Sequence, residues 1–342
     1  MEKILVALSG GVDSSVAAAR LVKQGYSVEG ATMVFEGVED DDVNCARDAA
    51  AALGIKFQSF DLSLPYQEMI IKDFVAEYQA GRTPNPCVRC NQFFKFGFFL
   101  QRALNLGFDR IATGHYARAI GKKGVFQIER GRDRNEQSYF LYRLNQYQLS
   151  KTILPLADLT KDQVRKIARD LKLPNAQRKK SQDICFLPGT DYNTYLREIL
   201  PENPGPIVDM KGREIGRHKG VVFYTIGQRR GIRIGRGRPY YVMRIDAREN
   251  IIQVGDKEDV FRTELVARDV NFTFLKGLNR TRKVLAKPRY FAPLSPARIR
   301  PMAGAVRVEF DQPQWALTPG QSVVFYQDDV LLGGGIIDEI IS

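Results

Sequence analysis

The first third of the chain alternates short apolar runs with stretches whose apolar residues recur every three or four positions. Lys3–Leu8 ("KILVAL"), Ser27–Phe35 ("SVEGATMVF"), "KFQSFDL" (56–62) and Phe108–Ala117 ("FDRIATGHYA") predict strands. Between them, "VDSSVAAARLVKQG" sets Val12, Val16, Ala19 and Leu21–Val22 on one helical face and closes at Gly25. "DDVNCARDAAAALG" predicts a second helix with an Asp cap, ending at Gly54. "PYQEMIIKDFVAEYQAG" predicts a third, with Pro65 in its first turn. Strands separated by helices predict a parallel sheet with helices on both faces. "TKDQVRKIARDL" (Thr160–Leu171) is one more helix, capped by Thr160.

Beyond Leu200 the pattern changes. "PENPGPIVD" is a Pro/Gly-rich junction. After it come short β-rich runs: "GVVFYTIG", "YYVMRID", "IIQVG", "AVRVEF", "SVVFY" and "LLGGGII". They predict a small central module and then an all-β barrel or sandwich. The expected organisation is an α/β catalytic domain over 1–200, a central α+β or β module over 201–260 and a C-terminal β-barrel over 261–342.

Composition narrows the classes. The chain is 44% hydrophobic, so it can bury a sizeable core. No run of about 18 or more apolar residues predicts a membrane helix. The N-terminus lacks the basic leader of a signal peptide. The expected compartment is a reducing cytoplasm, where the four cysteines are more often catalytic, metal-binding or transiently paired than permanent staples. Lys and Arg number 51 against 39 acids. The excess is local: nine Lys/Arg against Glu214 alone between Lys211 and Tyr240, and eight with no acid from Leu275 to Arg300. Such clusters favour a phosphate backbone as partner.

Two stretches carry candidate chemistry. "ALSGGVDSS" (Ala7, Leu8, Ser9, Gly10, Gly11, Val12, Asp13, Ser14, Ser15) joins the first strand to the first helix. Its glycines let the backbone approach an anion, and helix N–H groups and hydroxyls can face it. Asp13 can hold a magnesium-bound phosphate. The loop is neither a Walker A loop nor a dinucleotide fingerprint. SGG-x-DSS after a strand resembles the loop of PP-loop ATP pyrophosphatases. That likeness implies ATP, Mg2+, and transfer of AMP to a poorly leaving oxygen.

The second stretch, "GRTPNPCVRCN", brings Cys87 and Cys90 to the start of a predicted helix, whose dipole would favour the Cys90 thiolate. Cys185 lies far along in "SQDICFLPG". Cys45, inside the Ala-rich helix, reads as a small core residue.

"ALSGGVDSS", "GRTPNPCVRCN", "GHYAR", "EQSYFLYRL", "SQDICF", "YTIGQRRGI" and "LGGGII" occur here in the order found in the tRNA-specific 2-thiouridylases, the MnmA family, which the chain resembles from about Lys3 to Ile337. The resemblance implies a PP-loop (adenine nucleotide α hydrolase-like) domain followed by the central module and β-barrel. It also implies ATP-dependent 2-thiolation of the wobble uridine, position 34, of tRNA. A sulfur donor is needed, either a persulfide-carrying protein or sulfide. Cys90 resembles the family's nucleophile or resolving cysteine, and Cys185 the persulfide carrier. Many members have Asp where this chain has Cys87. Three readings of the thiols stay open: a 4Fe–4S cluster on Cys87, Cys90 and Cys185, a persulfide relay through Cys185 and Cys90, or zinc.

By the same resemblance Met33 and Gly114 line the ATP site, with Phe35 where a Trp is common. Asn85, Pro86, Cys87, His115, Asn135, Glu136, Gln137, Arg289, Tyr290 and Gln321 face tRNA. The Lys-Asp-Gln usual before the Ser-Tyr pair is Asn-Glu-Gln here. An Arg for phosphate beside a Tyr for stacking suits an RNA loop. Two other classes compete. A PP-loop amide ligase would need no reactive thiols, and an RNA-binding protein with a relic loop would not keep Asp13 beside Ser9-Gly10-Gly11.

Overall fold

The computed structural model describes residues 1–342 except 179–183, 188, 233, 235–238 and 342. A five-stranded parallel sheet opens the chain: β1 (Lys3–Ala7), β2 (Ser27–Val34), β3 (Phe57–Asp61), β4 (Arg110–Ala112) and β7 (Thr152–Ile153), in the order β3-β2-β1-β4-β7. α1 (Val12–Lys23) and α2 (Asp40–Ala52) follow β1 and β2. The cap of α2 is Glu39 rather than an aspartate. Asp42, one turn in, accepts the Glu39 N–H at 3.2 Å. Cys45 on α2 is half-buried, with its thiol toward Asp41 at 3.9 Å, so it is not the core residue the Ala-rich pattern predicts. Ala46, Ala49 and Ala50 fill the core face instead.

The third predicted helix is α3 (Ser63–Tyr66), a wide π turn (Gln67–Ile71) and α4 (Lys72–Gln79). The cysteine helix has the same construction: α5 (Pro86–Cys90), a π segment (Asn91–Phe98) and α6 (Phe99–Asn105). π turns of this kind often mark functional sites. The fourth strand is shorter than Phe108–Ala117. It ends at Ala112, and Gly114 and His115 lie in the loop beyond it.

A hairpin absent from the sequence reading follows, β5 (Ala117–Lys122) and β6 (Val125–Arg130). Then come α7 (Gln146–Ser150), α8 (Lys161–Asp170) and α9 (Tyr192–Ile199). Thr160 caps α8 as predicted, its hydroxyl accepting from the Gln163 N–H at 3.4 Å.

The central sheet is β10 (Tyr241–Asp246), β11 (Ile251–Gly255), β8 (Gly205–Val208) and β9 (Glu214–His218), in that order. "GVVFYTIG" is no strand there. Gly220, at φ 149, turns the chain into a short 3-10 helix, Val221–Phe223, that drops Val221, Phe223 and Tyr224 into the core. β12 (Phe261–Phe272), β15 (Ala305–Trp315), β14 (Ser295–Met302), β13 (Arg282–Lys287), β16 (Ser322–Gln327) and β17 (Val330–Ile340) form a barrel closed by β12–β17 pairing. The β5–β6 hairpin joins its wall, Ile128 opposite Leu331 and Glu129 opposite Val330. One aromatic-rich core runs from Phe35, Tyr66 and Phe94 to Val242 and Val254 of the central sheet.

Candidate active site

The loop after β1 turns through Gly10 at φ 71. A Cβ there would sit 2.5 Å from the Asp42 carbonyl oxygen and 2.8 Å from Arg178 Nη1. Gly11 caps α1 with extended backbone and no side-chain bond. The Ser14 and Ser15 hydroxyls donate to the Gly11 carbonyl at 3.0 and 3.2 Å, and the Ser9 N–H donates to Ser14 Oγ at 3.2 Å. Gly114 approaches from β4. A Cβ on it would meet Ser14 N at 2.8 Å, so glycine is required for this contact. Met33, near the end of β2, packs between two apolar clusters. The residues expected to hold the nucleotide thus gather at the C-terminal ends of β1, β2 and β4, where open parallel sheets bind ligands.

Sequence reasoning missed four residues around this loop. Lys161 Nζ donates to both Asp13 carboxylate oxygens at 2.6 Å, and the Tyr116 hydroxyl donates to one of them at 2.6 Å. Asn175 Nδ2 donates to the Gly10 carbonyl at 2.8 Å and to Ser15 Oγ at 2.9 Å. Arg178 pairs with Asp41 and Asp42, while its Nη1 is buried with no partner beside Gly10. These contacts span more than 100 residues of sequence, and no local pattern encodes them.

The thiols differ sharply. Cys90 is 5% exposed, Cys87 is half-buried and Cys185 is exposed. Burial pushes the Cys87 thiol up to about 11 and the Cys90 thiol up to about 12. A negative charge on Cys185 would raise both further, and Lys95 offsets part of the rise. The helix-dipole expectation for Cys90 therefore fails. α5 has five residues, Cys90 is its last, and desolvation outweighs the dipole. Asn85 caps α5, its side chain accepting the Val88 N–H at 3.3 Å, and Pro86 starts the helix with its ring buried.

Cys185 shares a 3.2 Å hydrogen bond with the Tyr66 hydroxyl. Tyr66 is 1% exposed and stacks on Phe35 at 4.0 Å, with Phe94 and Phe186 edge-on. Burial first, then Cys185, hold its hydroxyl far above the ordinary phenol range, so it stays a donor. The Cys185 backbone lies against Gly37, where a Cβ would meet its carbonyl oxygen at 2.4 Å. Ser181, Gln182 and Asp183 of the same motif lie outside the described residues. Among the described residues no three or more Cys, His, Asp or Glu side chains converge as a metal site.

The residues expected to face tRNA separate into two groups. His115 is buried, bonded through Nδ1 to Thr113 Oγ1 at 2.7 Å. Burial, with Lys95 nearby, holds it neutral, well below the usual imidazole range. Glu136 is 2% exposed, between Arg130 (3.5 Å) and Lys287 (3.7 Å). Gln137 Oε1 accepts the Tyr116 N–H at 3.1 Å. Arg289 is turned inward, donating to the Ala316 carbonyl, to Thr318 Oγ1 and to the Ile226 carbonyl. Gln321 holds the Thr83 and Pro84 carbonyls. By contrast Asn135 and Tyr290 are half-buried, and the Tyr290 ring packs tilted on Phe140 at 4.5 Å beside Phe291, which is 92% exposed. Lys287 lies 5.1 Å over the Tyr290 ring. Some cations of the two basic stretches pair with carboxylates at the surface: Arg213 with Asp209, Lys219 with Glu202, and Arg298 and Arg300 with Glu309. No helix among the described residues is long and apolar enough to cross a membrane.

Three family models match in succession. They are the tRNA methyl transferase HUP domain (residues 2–189), the tRNA methyl transferase PRC-barrel domain (193–256) and the aminomethyltransferase β-barrel domain (262–337). The tRNA-specific 2-thiouridylase MnmA of Desulforamulus reducens is 45% identical over 360 residues, covering 99% of this chain and 98% of the relative. Its namesakes in Clostridium perfringens (43% over 356 residues, 99% of each) and Treponema denticola (44% over 360 residues, 99% and 98%) are similar throughout. Among solved structures, a 4-thiouridine synthetase–RNA complex with bound ATP is 19% identical over 58% of this chain and 49% of that one, with a TM-score of 0.37, too distant to bear on the site. Matched from end to end at this identity, the chain belongs to the tRNA-specific 2-thiouridylase (MnmA) family.

Proposed function

We propose that the protein uses ATP to replace the C2 oxygen of the wobble uridine, position 34 of tRNA, by sulfur, releasing AMP and pyrophosphate. Ala7–Ser15, Met33 and Gly114 hold the nucleotide. A magnesium ion riding on the phosphates would suit Asp13, since Mg2+ commonly takes one carboxylate plus substrate oxygens and supplies charge neutralisation. The uracil O2 attacks the α-phosphorus and pyrophosphate leaves. AMP is then a far better leaving group than hydroxide.

Sulfur travels as a persulfide. The Cys185 thiolate attacks the terminal sulfur of a persulfide donor, which departs as a thiolate, and Cys185 becomes Cys–S–SH. That outer sulfur attacks C2 and AMP leaves. Cys90 gives up its proton and attacks Cys185 Sγ. The S–S bond to the tRNA breaks, its electron pair leaving with the tRNA sulfur as the thiocarbonyl, and Cys90 and Cys185 become a disulfide. A thiol reductant supplies two electrons to reset it.

The observation that carries this reading is the asymmetry of the thiols. Cys185 is exposed and held by Tyr66, ready to receive sulfur, while Cys90 is buried and protonated. A protonated Cys90 does not discharge the persulfide early. Asn85, Cys87, Asn135 and Tyr290 form the tRNA-facing rim, and the buried Pro86 backs it. His115, Glu136, Gln137 and Arg289 support that rim from within. The working division is 1–200 for ATP and thiol chemistry, 201–260 as a brace and 261–342 as the tRNA-side barrel. The expected compartment is the cytoplasm.

The test is single-turnover thiolation of a U34 tRNA with ATP, Mg2+ and a small persulfide donor, without reductant. It should give 2-thiouridine, AMP and a Cys90–Cys185 disulfide in step, and Cys90→Ala or Cys185→Ala should abolish thiolation. Thiolation by the Cys185→Ala variant, or a strict need for reconstituted iron, would sink the relay.

A further inference from the structure

The segment before the thiol helix has little means of holding itself. Pro84 and Pro86 have no N–H, and an extended Pro-rich stretch makes no internal ladder. Its polar groups are instead satisfied by distant parts of the chain. Gln321 Nε2, at the mouth of the barrel, donates to the Thr83 carbonyl at 3.0 Å and the Pro84 carbonyl at 3.1 Å. The Thr83 N–H donates to the Pro319 carbonyl at 2.8 Å, and the Thr83 hydroxyl meets that of Thr225 in the central module at 3.1 Å. Gly320 makes the approach sterically feasible. It sits at φ 92, and a Cβ on it would lie 2.8 Å from both the N and O of Thr83.

We propose that Gln321 and Gly320 are positioning residues for sulfur transfer: the barrel turn clamps Thr83–Pro84 and so fixes where α5 presents Cys87 and Cys90. Pro84 in the connection and Pro86 at the first position of α5 make the path from Thr83 to the thiols stiff, so a shift at the clamp is carried to them. Both amide hydrogens of Gln321 are consumed by the two carbonyls. That is an internal use of a side chain which the family resemblance assigns to tRNA. The inference deepens the thiolation reading and rests on it for its kinetic consequence only.

Gln321→Met, close in size but without donors, and Gly320→Ala test it by two measurements. In hydrogen exchange, the Thr83 amide and the Cys87–Cys90 backbone should exchange faster in both variants. In steady-state thiolation, kcat should fall about 10- to 100-fold, the scale of a small misplacement of reacting groups, while the Kd for tRNA stays within about twofold of the parent, as a change confined to an uncharged, part-buried contact leaves the charge of the RNA face intact. A raised tRNA Kd with unchanged kcat and unchanged exchange would make Gln321 an RNA contact and overturn the clamp. Normal exchange in Gln321→Met would overturn it too, whatever Gly320→Ala does to the barrel turn. If the parent protein thiolates no tRNA, the thiolation reading fails, and the exchange measurement still decides the clamp.

Discussion

At the scale of single residues, the proposed chemistry rests on how differently three like side chains are housed. Cys185 is exposed, whereas burial pushes Cys87 up to about 11 and Cys90 up to about 12. Iodoacetamide should therefore label Cys185 first, and peptide mass spectrometry should show Cys90 labelling still climbing above pH 10. Labelling of Cys90 that saturates near neutral pH would contradict the burial argument. Tyr66→Phe keeps the ring stack on Phe35 and removes the hydroxyl that meets Cys185. Persulfide loading of Cys185, read as added sulfur mass, should drop about three- to tenfold, the scale of one hydrogen bond. His115 is neutral in its buried site, while an unfolded histidine titrates near pH ~6.5. Below that pH the unfolded chain binds a proton that the folded chain refuses. The contribution of His115 is thus complete above about pH 6.5 and is lost as pH falls below it. Denaturation curves of His115→Gln should be flatter between pH 7 and 5 than those of the parent.

At the scale of elements, the nucleotide loop is a strand-to-helix turn that only glycine can make. Gly10→Ala would place a Cβ in left-handed backbone and 2.5 Å from the Asp42 carbonyl oxygen. Left-handed backbone alone costs about 1–2 kcal/mol, and the clash pushes α2 from the loop. ATP binding by calorimetry should weaken at least tenfold, and an unchanged affinity would show the loop is not the phosphate site. This loop was legible because strand, glycines and helix are consecutive. The same holds for the Thr160 cap of α8, whereas the Asn85 cap and Pro86 at the start of α5 were not read from the sequence. The β5–β6 hairpin was not legible. Its partner, β17, lies some 200 residues later, and the Gly124 turn gave no sign that the hairpin would leave the first domain. "GVVFYTIG" misled for the opposite reason, since its apolar residues are buried through a turn and not on a sheet face.

At the scale of the molecule, many contacts tie the barrel to the first half, among them Arg82–Asp338, Arg143–Asp269 and the β6–β17 pairing, and two more reach the candidate site. One is the clamp on Thr83. The other is Glu136, a buried carboxylate between Arg130 of β6 and Lys287 of β13, beneath Tyr326 and Ser138. Removing one partner of such a buried group leaves the others unpaired, a loss on the order of 3 kcal/mol. Glu136→Ala should lower the urea midpoint accordingly without changing its cooperativity. A midpoint within error of the parent would mean the network carries no stability. The aromatic core that holds Tyr66 also spans the first and central parts, so the thiol pocket is built by both.

What neighbouring residues specify on their own is local: the Gly-rich turn after β1, the Pro-rich lead to Cys87 and Cys90, the parallel α/β opening and the β-rich end. Each depends on neighbours a few positions apart, and short-range sterics and periodicity record them. Only the tertiary structure decided which thiol is exposed and which is buried. It also decided that Asp13 is held by Lys161, that His115, Glu136 and Arg289 face inward, and that Gln321 reaches the Thr83 and Pro84 carbonyls. Burial and long-range hydrogen bonds belong to pairs of residues brought together by folding, and no single stretch of the chain contains both members.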